Sequence, residues 1–188
     1  MNHSFWKKPW VKNGLTVLIF VIAYLALRPF MQGDVIHGQV PAIQLKSITG
    51  GQFDLSNVTE PTLVHLWATW CPICGVTKGS VESVAKDYKV INISTQSGDD
   101  EALLNYAQEN DMNPAIIIND YDGKLMNLFG AKAVPADFII SPGGEIQFVE
   151  VGFTSELGLR LRLWWAGLSS SETNQTAQTD QTIQLESN

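Results

Sequence analysis

The sequence predicts an α/β domain in three layers, a mixed central sheet with helices on both faces, preceded by one transmembrane helix. Three observations predict it. Stretches of strand and helix periodicity follow one another in the order β-α-β and then β-β-α, the alternation that builds layered sheets. Cys71 and Cys74, the only cysteines of the chain, stand where the first buried strand turns into a helix. An uncharged apolar run from Gly14 to Leu27 precedes all of this.

That run is the first element. With Arg28 snorkelling it extends to Met31 and approaches the roughly 20 residues that a bilayer span needs. Lys7, Lys8 and Lys12 precede it, and only Arg28 follows before Asp34. The positive-inside rule then puts residues 1–12 in the cytoplasm, an anchor over 13–31 in the inner membrane, and the remainder outside. Trp6 and Trp10 suit the headgroup belt. A cleaved secretory signal, whose apolar core runs to roughly 7 to 15 residues, is the competing reading. The bulky Leu27-Arg28-Pro29-Phe30 lacks a small-x-small cleavage site, which favours the anchor. Both readings export the domain to a compartment where disulfides form, the periplasm in a Gram-negative cell.

Residues 32–39 read as a linker and 40–168 as one domain of about 130 residues, enough for a sizeable core. Ile43 to Ser47 and Gln52 to Leu55 alternate apolar residues around Gly50-Gly51 and read as a hairpin. Thr62 to Trp67 is a nearly continuous apolar strand of the kind buried on both faces. The helix after the cysteines turns Val76, Val81, Val84, Ala85 and Tyr88 inward. Val90 to Ser94 is the next strand. Asp99 to Glu109 is a helix with an acidic cap and with Leu103, Leu104 and Ala107 inward. Ala115 to Ile118 reads as a short strand and Gly123 to Phe129 as a short helix. Ala136 to Ile140 and Glu145 to Val151 flank the turn Ser141-Pro142-Gly143-Gly144. The last helix, Ser155 to Leu168, carries Leu157, Leu161, Trp164 and Leu168 on one face, read as core. Residues 169–188 are almost wholly polar and bury too little to offset the entropy of ordering, so a disordered tail is expected.

The chemistry lies in Trp70-Cys71-Pro72-Ile73-Cys74. A thiol at a helix start meets the positive end of the helix dipole and backbone N–H groups, which favour its thiolate. The second cysteine, about one turn on, can close a ring with the first and expel whatever it has captured. Half of a zinc site has the same spacing, but the chain has no second cysteine pair, and His3, His37 and His65 are poorly placed to complete a cage. A purely structural bridge over so short a ring removes little unfolded-state entropy. Redox exchange is the reading that remains strongest. With 19 acidic against 12 basic residues and a net charge of −7, the chain has no basic stripe for nucleic acid.

Val64-His65-Leu66-Trp67-Ala68-Thr69-Trp70-Cys71-Pro72-Ile73-Cys74 resembles the active-site strand and loop of the thioredoxin superfamily, and Val134-Pro135-Ala136-Asp137-Phe138-Ile139-Ile140 resembles its cis-proline loop. With the anchor, the hairpin and an extra strand-helix unit near residues 99–118, the chain is similar to the membrane-tethered TlpA/ResA branch, and within it to the suppressor of copper sensitivity D type. The resemblance implies a thioredoxin-like fold over roughly residues 40–168. It implies Cys71 as nucleophile, Cys74 as resolving thiol, and a cis Pro135 whose neighbour Val134 pairs with an extended client; the alternative is an ordinary trans proline. Trp70, Pro72 and Ile73 would frame the docking surface, with Trp67 in the core. Where thioredoxins carry a buried Asp, this chain has His65, which either accepts the Cys74 proton or is a satisfied core histidine. The cytochrome c maturation branch often shows a Glu near its cis-proline loop, whereas here the loop reads Ala131-Lys132-Ala133-Val134-Pro135-Ala136.

The expected activity is protein thiol-disulfide exchange with no cofactor beyond the Cys71–Cys74 disulfide and no metal. The expected partners are client proteins and a membrane electron donor, and the expected state is a monomer. Pro72-Ile73 supplies no charge to stabilise a thiolate, which favours a reductase over an oxidase. A Cu(I)-handling module using both sulfurs and a non-catalytic docking module are the other classes.

Overall fold

The computed structural model describes residues 16–20, 22 and 35–168. The chain divides into two units, Met1–Gly33 and Asp34–Asn188. In the first, residues 16–20 and 22 are helical and exposed. Most of the anchor expected over 13–31, the segment 1–12 and the tail 169–188 lie outside the described residues. Among the described residues no helix is long and apolar enough to cross a membrane.

The second unit is a thioredoxin-like α/β domain. Its strands are β1 (Gly38–Gln39), β2 (Gln44–Lys46), β3 (Gln52–Asp54), β4 (Thr62–Trp67), β5 (Lys89–Thr95), β6 (Ile117–Asp120), β7 (Ala136–Ile140) and β8 (Glu145–Val151). Its helices are α1 (Pro72–Val84), α2 (Asp100–Glu109), α3 (Lys124–Leu128) and α4 (156–168). Six strands form one mixed sheet in the order β1-β8-β7-β4-β5-β6, and β2 and β3 form a separate hairpin. β4 lies at its centre, parallel to β5 and antiparallel to β7. All six residues of β4 are buried, as a strand covered on both faces requires.

Alternation along β4 sorts the core into its layers. Val64 and Leu66 face a cluster with Ile91, Ile93, Phe138 and Phe129, covered by α3 and the β2–β3 hairpin. Leu63 faces the other way, onto Val81 and Val84 of α1 and Leu159 and Leu163 of α4. Trp67, on that same face, packs with Cys71, Cys74 and, from α2, Leu103 and Ala107. Three helices therefore cover one face.

Four sequence expectations are corrected. The linker over 32–39 is part of the domain from Val35 onward: Val35 is buried, Ile36 N donates to Phe129 O at 3.1 Å, and β1 pairs with β8. In α1 the buried row is Cys74, Thr77, Val81 and Val84, which turns Val76 out to solvent. The strand expected over Ala115 to Ile118 starts at Ile117, because Pro114 opens a 3₁₀ turn and the Asn113 side chain caps it by accepting from Ala115 N at 3.0 Å.

The fourth correction concerns α4. Leu157, Leu161, Trp164 and Leu168 point outward, 48–67% exposed, while Leu159, Leu163 and Ala166 are buried. Two physical features set this rotation. A Cβ at Gly167 would lie 3.1 Å from Pro61 Cγ, so the helix end approaches the domain where only small side chains fit. Arg160 reaches Asp87 at 2.7 Å and Glu156 at 2.8 Å, and Arg162 reaches Glu150 at 2.8 Å, pinning both flanks. Leu163→Ala is expected to cost about 2–5 kcal/mol in urea unfolding. Leu161→Ala is expected to cost less than about 0.5 kcal/mol. Equal losses would restore the face read from the sequence.

Candidate active site

The site is built at the end of β4. The strand leads through Ala68 and Thr69 to Trp70 and Cys71, and Thr69 N donates to Ser97 Oγ at 3.0 Å, which ties this turn to the loop after β5. Cys71 is the N-cap of α1 in extended conformation and Pro72 is its first residue, where a missing N–H costs nothing. Cys71 and Cys74 are disulfide-bonded, with Cα atoms 5.3 Å apart. Cys74 N donates to Cys71 Sγ at 3.2 Å. An amide aimed at that sulfur, at a helix start, stabilises negative charge once the bond is opened. Cys71 is 8% exposed and Cys74 3%, so Cys71 is the more accessible of the two sulfurs.

The proline loop closes over the pair. The Val134–Pro135 peptide is cis, and Cys71 Sγ lies 3.5 Å from Val134 O. Pro135 is buried, Val134 is half-buried, and Pro135 O accepts from Gly152 N at 2.8 Å. Trp70 and Ile73 are exposed beside the disulfide, as is Pro72. Trp70 Nε1 donates to Gln96 O at 3.1 Å, so the indole is held while its face stays open. Val76 extends this apolar rim, although periodicity assigned it to the core. Trp67 is buried against Tyr106, ring centroids 5.5 Å apart.

His65 is buried on the β4 face that α1 covers, and its Nδ1 lies 2.6 Å from Asp137 Oδ1. Asp137 was not singled out from the sequence; it stands alone in the apolar run of β7, 72 residues from its partner. Among the described residues no group of three or more His, Cys, Asp or Glu could hold a metal ion.

Glu82 of α1 is an ionisable neighbour of His65. Burial raises its carboxyl above the ordinary 4.5, while the amide of Asn113, the charge of Lys78 and the nearby imidazole of His65 draw it down less strongly. A carboxyl raised by folding holds its proton more tightly in the native state, so stability declines as pH rises from 4.5 through the folded value. Glu82→Gln is expected to flatten this decline in thermal-melting midpoints measured across that window. An unchanged slope would mean that burial does not raise the carboxyl.

The AhpC/TSA family profile matches residues 36–149. The thioredoxin-like protein of Haemophilus influenzae is 29% identical over 162 residues, covering 85% of this chain and 96% of that protein. The thiol:disulfide interchange protein DsbE of Pseudomonas fluorescens is 30% identical over 148 residues, covering 76% of this chain and 82% of that one. Among solved structures, a thiol:disulfide interchange protein of the thioredoxin family from Chlorobium tepidum has the same fold, with a TM-score of 0.60 at 20% identity over 71% of this chain and 99% of its own. With its bonded Cys71–Cys74 pair at a helix start, the chain belongs to the AhpC/TSA family and is one of its thiol-disulfide oxidoreductases.

Proposed function

We propose that this enzyme is tethered to the inner membrane, faces the periplasm, and reduces disulfides of client proteins with electrons from a membrane donor. Cys71 attacks the client, and Cys74 resolves the mixed disulfide with His65 as its base. The observation that carries the reading is the placement of Cys71 Sγ: it caps α1, receives the Cys74 amide, and adjoins Val134 O in a rim of exposed apolar side chains. Such a rim suits an unfolded or extended client, whose strand can align along Val134. The apolar run at 14–27 and its preceding lysines support the tether and its orientation. The uncharged Pro72-Ile73 pair supports the reducing direction. This combination resembles the suppressor of copper sensitivity D type.

Cys74→Ala in the full chain tests the reading. It is expected to accumulate client proteins as mixed disulfides on Cys71, released by dithiothreitol and absent from the Cys71→Ser, Cys74→Ala double variant. A trap that collects nothing beyond that control sinks the exchange reading. Recovery of the wild-type pair in oxidised form from growing cells reverses the direction of electron flow.

A further inference from the structure

Under the middle of α1 lies a buried acid–base pair that spans two strands. His65 Nδ1 and Asp137 Oδ1 are 2.6 Å apart and both side chains are 3% exposed. The two residues are direct partners in the antiparallel β4–β7 ladder, so the backbone register sets the ring beside the carboxyl group. Along β4, His65 falls between Leu63, which packs on Val81 and Val84, and Trp67, which packs with Cys74. The imidazole is therefore set beneath α1 between the level of Cys74 and that of Val81. Around it, β7 contributes Asp137, α1 contributes Glu82, which interacts electrostatically with the imidazole and with Lys78 beyond, and β5 contributes the uncharged Asn92, in register with His65.

A nitrogen and an oxygen at this separation share a hydrogen, because two lone pairs so close repel. When Nδ1 of a neutral ring donates to a carboxylate, Nε2 is left as an acceptor. We propose that Asp137 is a positioning residue for the exchange reaction: by accepting the Nδ1–H of His65 it holds the ring in the tautomer whose Nε2 takes the proton of Cys74. This rests on the reading of His65 as base. In the mixed disulfide, Cys71 is bonded to the client sulfur and Cys74 is a thiol. Nε2 removes the thiol proton, and the Cys74 thiolate attacks Cys71 Sγ. The Cys71–Cys74 bond forms while the bond to the client breaks, and the electron pair leaves on the client sulfur. The proton taken by His65 balances the one that the client thiolate then gains. The two cysteines are oxidised and the client disulfide is reduced by two electrons.

The test uses the full-length reduced chain with glutathione disulfide as probe, the mixed disulfide being quantified by acid quench and mass spectrometry. Asp137→Asn keeps the shape, but its amide donates to Nδ1 and drives the ring proton to Nε2. The first attack is expected to stay within about 2-fold of wild type and resolution to slow by at least about 10-fold at pH 7. Its pH midpoint is expected to move up toward the ordinary thiol range near about 8.5. Nitrogen NMR of the histidine ring supplies a readout that packing alone does not move. It is expected to find His65 protonated at Nδ1 in wild type and at Nε2 in Asp137→Asn. A wild-type ring protonated at Nε2 overturns the role of Asp137, even where His65→Leu still resolves slowly. Wild-type resolution in His65→Leu defeats the base reading itself, whatever the tautomer. Should Asp137→Asn fail to fold, the wild-type spectrum alone decides.

Discussion

Cys71→Ser is expected to reduce insulin-disulfide reduction to the uncatalysed background while leaving the fold intact. The sulfur at this position serves two purposes, and serine keeps only one of them. A serine hydroxyl can cap α1 as Cys71 Sγ does now, accepting from Cys74 N, so the helix start survives. The ring lost with the disulfide closes over a sequence separation of 3, from Cys71 to Cys74, and constrains the unfolded chain little. An alcohol, however, neither ionises near neutral pH nor forms a disulfide with a client, so no mixed disulfide can arise. Cys74→Ser behaves differently: it retains the first attack and stalls afterwards. Insulin reduction by Cys71→Ser at more than a few per cent of the wild-type rate would remove Cys71 from the nucleophile's role.

Phe138→Ala is expected to cost about 3–5 kcal/mol in urea unfolding, the largest loss of any single truncation considered. Phe138 and Phe129 are fully buried, with ring centroids 4.9 Å apart in a tilted pair. Their cluster joins β7 to the end of α3 and to the entering chain at Val35. Truncation leaves a cavity where three segments meet, and strands in register with β4 and β8 cannot shift to fill it. The side chain points away from the face that carries the disulfide. Exchange rates measured well below the lowered melting midpoint are accordingly expected to match wild type. A loss under about 1.5 kcal/mol, the scale of a conservative core swap, would mean that the site collapses freely.

Much of the fold was legible because its strongest elements carry redundant signals. β4, β7 and β8 coincide with the expected strands to the residue: the first is a nearly continuous apolar run, and the other two flank a turn made of Ser141-Pro142-Gly143-Gly144. β1 was not legible, since two residues, Gly38–Gln39, carry no periodicity and gain their strand state only from β8. The phase of α4 was not legible either. That helix is apolar almost all round, and the choice between its two stripes is made by the closeness of Pro61 and by arginine partners on other elements. In the candidate site, the cysteines announced themselves by spacing. Asp137 did not, because its meaning depends on a strand partner far off in sequence.

Register gives the imidazole and the carboxyl group a shared inheritance. A protein engineer who grafts His65 into another strand without an acid across the ladder would strand an unsatisfied ring in a dry interior. A slip of one residue in either strand would turn its own group to the side where Val64 and Phe138 now meet and part the pair. The transplantable unit is a rung of the ladder, and anyone redesigning this scaffold must exchange its two ends together.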